Sequence, residues 1–260
     1  MKPTEAESKE KTLKKWNEVF PILKKYTSRT LFMRLECLLV GVRLDFGYFP
    51  NYALALEVYP LWMPLREAHK DFNHFSGLLC PTASLNLLSV YANNNQFNHY
   101  ADIGISMFSK ILNYDVALGD LTTYILNSSY DELPILRAPR YETAFMLLLG
   151  LASYLDAEDY RRYITNTAYK LARNYESTIR KDHGQSVDEY IKYLTEQFSD
   201  REMLIRKVKE NLSNPKIKSL FEANLTLNIQ NLPEIQNKPN DNWIKKTIRF
   251  ISNIFMLKHL

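Results

Sequence analysis

Glycine is scarce, with 7 residues in a chain of 260. Tight β-turns and phosphate-cradling loops consume glycine, so the shortage argues against an all-β sandwich and against a glycine-rich nucleotide loop, and it favours helices. Cysteine is scarcer still. Cys37 and Cys80 are the only two, too few for a disulfide framework or a thiolate metal cluster, and the expectation is a cytoplasmic chain with free thiols. No apolar run reaches the ~18–20 residues that a membrane-spanning helix needs. The N-terminal stretch is polar and then lysine-rich, unlike a secretory signal. The Asn-x-Ser/Thr triplets at Asn127, Asn211 and Asn224 are therefore read as chance matches.

What the chain does contain is the balance of a globular protein: 46% hydrophobic and 24% charged residues. The net charge of +4 is unevenly placed. Residues 1–30 carry eight cations and four acids, residues 241–260 carry four cations and one acid, and the 210 residues between them are net negative by three. A nucleic-acid binder usually carries a basic stripe across its folded body. Here only the two ends are basic, so nucleic acid is not the expected partner.

Periodicity divides the chain. From Ser8, read as an N-cap, Leu13, Trp16, Phe20 and Leu23 recur at helical spacing with lysines on the opposite side, and Pro21 predicts a kink or restart near Phe20. Leu31, Met33, Leu35 and Cys37 then alternate with Phe32, Arg34 and Glu36, as a half-buried strand requires. The apolar parity flips at Val40, Val42, Leu44 and Phe46, so Leu38 and Leu39 are expected to hold a turn or bulge. A third alternation, Tyr52, Leu54, Leu56 and Val58, ends at Pro60 and Pro64. Together these predict an antiparallel meander packed on helices, and a fourth short strand is expected at residues 72–79. Beyond Pro81 the pattern is helical. Leu85, Leu88 and Tyr91 suggest one helix, Phe97, Tyr100, Ile103, Met107 and Ile111 a second, and residues 116–126 a third. Residues 141–154 and 157–180 read as a helical hairpin turning near Leu155 and Asp156, with the apolar first arm central. Ser186 with Glu189 has capping-box spacing, Asp200 precedes a helix at residues 201–212, and Pro215 opens another.

Few residues offer chemistry. His69, Asp71 and His74, with Cys80 beyond, are the sole cluster with metal-ligand side chains. The two histidines are five apart, on opposite faces of a strand and about 140° apart on a helix, which disfavours shared coordination. Asp45 and Glu57 lie on neighbouring predicted strands, as in nucleases that hold a metal between two carboxylates. The position two beyond Glu57 is Tyr59, where that chemistry wants lysine. No catalytic set is assembled, and no cofactor is expected. Phe46, Tyr48, Phe49, Tyr52, Tyr59 and Trp62 make an aromatic-dense stretch. Aromatics suit both sheet cores and interaction surfaces.

The stretch Leu54-Ala55-Leu56-Glu57-Val58-Tyr59-Pro60-Leu61-Trp62-Met63-Pro64, followed by Phe75-Ser76-Gly77, resembles uncharacterised bacterial domains that begin with a helix and small sheet and continue as helices. The resemblance spans residues 10–180, implies an α+β bacterial protein and transfers no catalytic residue.

The resulting expectation is an α+β, predominantly helical chain. A small N-terminal antiparallel sheet with a helix (1–80) precedes an irregular multi-helix region (81–232), a linker (233–242) and a C-terminal amphipathic helix (243–260). It reads as a non-enzymatic protein-interaction module, an immunity or toxin-neutralising role being one concrete version. Tyr48, Tyr52, Tyr59 and Trp62 are its expected partner-binding residues. The alternatives are a metal-dependent nuclease or hydrolase, and a peripheral membrane adaptor using residues 243–257, where Trp243, Ile244, Ile248, Ile251 and Phe255 face one side beside Lys245, Lys246 and Arg249.

Overall fold

The computed structural model describes residues 4–46, 49–64, 85–130, 141–174, 176–228 and 232. The expected strand at 72–79, Tyr48, the cluster of His69, Asp71, His74 and Cys80, and the C-terminal segment 233–260 lie outside the described residues.

The first helix, α1 (Glu5–Val19), starts one turn before Ser8. Thr4 is its N-cap, and Glu7 completes a capping box. Ser8 is instead buried along with Thr12, Leu13 and Trp16. The helix stops at Val19, and Phe20 caps it immediately before Pro21, which cannot donate to a continuing helix. After the two-residue β1 (Lys24–Lys25), the meander forms as β2 (Thr30–Leu35), β3 (Leu38–Asp45) and β4 (Asn51–Pro60). Leu35 pairs with Leu38, so the β2–β3 turn is Glu36-Cys37, ahead of the expected Leu38-Leu39, and Glu36 takes φ 52° to close it.

Three cross-strand rows build the core face of the sheet: Leu31–Val42–Leu56, Met33–Val40–Val58 and Leu35–Leu38–Pro60. All nine side chains are buried, and each large apolar one contributes about 1.5–3 kcal/mol. The opposite face carries Phe32, Gly41 and Glu57 in one row and Arg43 opposite Ala55 in the next. Gly41 is required there, because a Cβ would sit 1.9 Å from the Leu31 carbonyl oxygen and 2.7 Å from the Phe32 ring.

The expectation of a small antiparallel sheet followed by helices alone is wrong. Seven described strands join in the order β5-β4-β3-β2-β7-β6, with β1 also on β2. The additional strands are β5 (Leu85–Ser89), β6 (Asp115–Ala117) and β7 (Glu222–Thr226), all from the segment read as helical. β7 runs parallel to both β2 and β6, so the sheet is mixed. The outer edge of β2 is divided, with β1 beside Leu31 and Phe32 and β7 beside Arg34 and Leu35. These strands have three to five residues, too few for a two-residue period to stand out. In β5, Leu85 and Leu88 also satisfy helical spacing.

The helices that follow are α2 (Asn94–Phe108), α3 (Leu118–Tyr130), α4 (Tyr141–Tyr154), α5 (Glu158–Asn174), α6 (Glu176–His183), α7 (Val187–Glu196), α8 (Arg201–Leu212) and α9 (Pro215–Lys218). The buried line of α2 is Phe97, Ala101, Gly104 and Phe108, rotated from the expected one. The α4–α5 hairpin turns at Leu155 and Asp156 as expected, with Asp156 at φ 56°. Its first arm is central, burying Ala144, Phe145, Leu147, Leu148, Leu149, Leu151 and Ala152. Ser186 and Glu189 form the capping box of α7, and Asp200 caps α8. Asn211 of α8 donates from Nδ2 to the carbonyls of Leu61 (2.6 Å) and Met63 (2.9 Å), tying the helical layer to the chain leaving β4. No helix among the described residues is long and apolar enough to cross a membrane.

Candidate functional site

The described aromatic residues of the β3–β4 end separate into an inner and an outer set. Tyr52 is 2% exposed, and its hydroxyl accepts a hydrogen bond from Trp16 Nε1 at 2.9 Å. Burial pushes that phenol up to about 12. Trp62 is 4% exposed. Its indole fills the space left by Gly150, where a Cβ would lie 2.4 Å from Cζ2, and it meets the Phe198 ring edge-on at 6.4 Å. Both residues are core, which corrects their assignment to a partner surface: the indole needs a glycine that is 88 positions away in α4. Tyr59 is half-buried and donates its hydroxyl to the Pro64 carbonyl at 2.5 Å.

The outer set is Phe46, Phe49 and Tyr91. Phe46 follows the last residue of β3 and tilts against Tyr52 with centroids 5.6 Å apart. Phe49 precedes β4 and stands edge-on to Tyr91 at 6.0 Å. Tyr91 reaches it from the turn after β5, which is held by a Val90 N–H to Pro50 carbonyl bond of 3.0 Å. Tyr91 is 57% exposed, while Phe46 and Phe49 are half-buried. Over this patch lies the Lys9 ammonium, 4.9 Å from the Phe46 centroid and 5.9 Å from that of Phe49, and paired with Glu5. The patch thus joins α1, the β3–β4 end and the β5–α2 turn. Phe46 and Phe49 belong to the aromatic-dense stretch, but nothing in the local pattern around Lys9 or Tyr91 announces their convergence.

The polar centre of the sheet is separate. On its second face Arg43 Nε stands 2.9 Å from Glu57 Oε1. Burial raises the Glu57 carboxyl against the opposing pull of Arg43, and the Asp45 charge adds to the rise. Glu57 faces Gly41 while Asp45 faces Ala53, an offset of four residues, or about 13 Å along the strand. Two carboxylates so spaced cannot share one metal ion, and Arg43 holds the register position between them. Among the described residues, no group of three or more His, Cys, Asp or Glu side chains is arranged to hold a metal.

Compared with protein-family models, with curated proteins and with solved structures, the chain matches none.

Proposed function

We propose that the chain is a non-enzymatic protein-interaction module that works in the cytoplasm and meets its partner through Phe46, Phe49 and Tyr91. The observation that supports this reading is an aromatic patch gathered from three separate elements and left open at Tyr91. Large, stiff rings of this kind give contact area at little entropic cost, and they dominate binding energy where interfaces are mapped. Cys37 is a buried free thiol, which suits a reducing compartment. A toxin-neutralising role is one form that such a module takes.

The test is quantitative affinity capture with the wild-type chain, a Phe49→Ala/Tyr91→Ala double variant and a Tyr193→Ala control. Tyr193 is an exposed aromatic on α7. A loss of about 2 kcal/mol at the patch lowers occupancy roughly 30-fold below saturation. The expected result is a protein retained by wild type and control and lost from the double variant at an unchanged melting temperature. Equal capture by all three folded proteins sinks the proposal.

A further inference from the structure

The ammonium above Phe46 and Phe49 occupies an arrangement that recognises cations. Two ring faces lie within 6 Å of one nitrogen, the Glu5 carboxylate pairs with that nitrogen, and the site opens to solvent, because Glu5 is 54% exposed. Removing the Lys9 charge leaves the Glu5 carboxylate beside a pair of aromatic faces. That combination attracts an alkylammonium or guanidinium group. Tyr91 prolongs the aromatic wall outward from Phe49.

We propose that this is a cation-recognition site for which Lys9 is the resident ligand, and that a lysine or arginine side chain of the partner takes its place in the complex. The inference rests on the reading of the patch as a partner surface and adds the chemistry of the residue that enters it. Lys9 is tethered to the site, so its effective concentration is high and it masks the site from free amines. The masking also has a use: the rings are covered until a partner supplies a competing cation together with further contacts.

The probe is n-butylammonium chloride, a lysine side chain in free form, titrated against sodium chloride at equal ionic strength and followed by NMR of the Phe ring resonances in the full chain. A Lys9→Ala variant is expected to bind the probe saturably at a concentration at least ten-fold below that needed for wild type. Adding Phe46→Ala to it abolishes the gain. Lys9→Gln, which removes the charge and keeps the first two methylenes of the stem, serves the same purpose if the alanine variant does not fold. If both Lys9 variants respond to n-butylammonium as they do to sodium, the inference is overturned. The partner surface is then still judged separately, by the Phe49→Ala/Tyr91→Ala capture.

Discussion

Gly41→Ala is the substitution that most directly interrogates the sheet. The new Cβ would stand 1.9 Å from the Leu31 carbonyl oxygen and 2.7 Å from the Phe32 ring, against a comfortable separation of about 3.5 Å. The ring can rotate aside, but the carbonyl belongs to β2 and moves only with its strand. Opening the β2–β3 pair by the missing distance of about 1.6 Å gives up two ladder hydrogen bonds at roughly 1 kcal/mol each, and overpacking adds about 1–3 kcal/mol. The sum is about 4 kcal/mol, a large share of the ~5–15 kcal/mol that holds a typical domain together. With a urea m-value of about 3 kcal/mol/M, the unfolding midpoint falls by roughly 1.3 M. Gly184→Ala is the comparison. That glycine sits at φ +66° with no atom within 4 Å of an added Cβ, so it costs only the left-handed backbone penalty of about 1–2 kcal/mol. If equilibrium urea denaturation gives the two variants equal midpoints, or ranks Gly184→Ala lower, the steric reasoning about β2 and β3 is wrong.

Tyr52→Phe removes the oxygen that accepts from Trp16 Nε1 and strands a buried donor, so stability should drop by about 1–3 kcal/mol while partner capture is unaffected; lost capture at unchanged stability would return Tyr52 to the binding surface. For Glu57, burial raises the folded carboxyl above its ordinary 4.5, so the protonated group stabilises the fold below that pH, and the contribution is lost as pH rises through the raised folded value. The stability of wild type relative to Glu57→Gln should therefore decline as pH rises above the ordinary 4.5 in parallel urea titrations, and a flat difference would refute the burial argument.

Where the sequence was legible, a local rule was at work. Ser186 and Glu189 close a box within a single turn. The β2–β3–β4 meander shows because its strands are six to ten residues long and apolar side chains recur with period two along one face. The turn between the first two was misplaced because Cys37, which sits in it, is buried too and prolongs the apolar parity. β7 had no such signature. In Glu222-Ala223-Asn224-Leu225-Thr226 only Ala223 is buried, and its place in the sheet comes from a distant neighbour, β2. The aromatic patch was half legible for the same reason. Aromatic density flagged the β3–β4 end, but Trp62 was drawn inward by Gly150 and Tyr52 by Trp16, while Tyr91 and Lys9 were brought outward over Phe49 by elements elsewhere in the chain.

The arrival of β7 between β2 and β6 also has a temporal side. Arg34 meets Glu222 across a sequence separation of 188, and at a synthesis rate of about 5–20 residues per second the second strand emerges roughly 10–40 s after the first. During that interval the meander is born with half of one edge unzipped, a template for any other extended chain nearby. The other half is covered from the start by β1, whose Lys24 and Lys25 are exposed. Charge on an edge strand disfavours pairing with a foreign chain, so the vulnerable stretch is the one beside Arg34 and Leu35 that waits for β7.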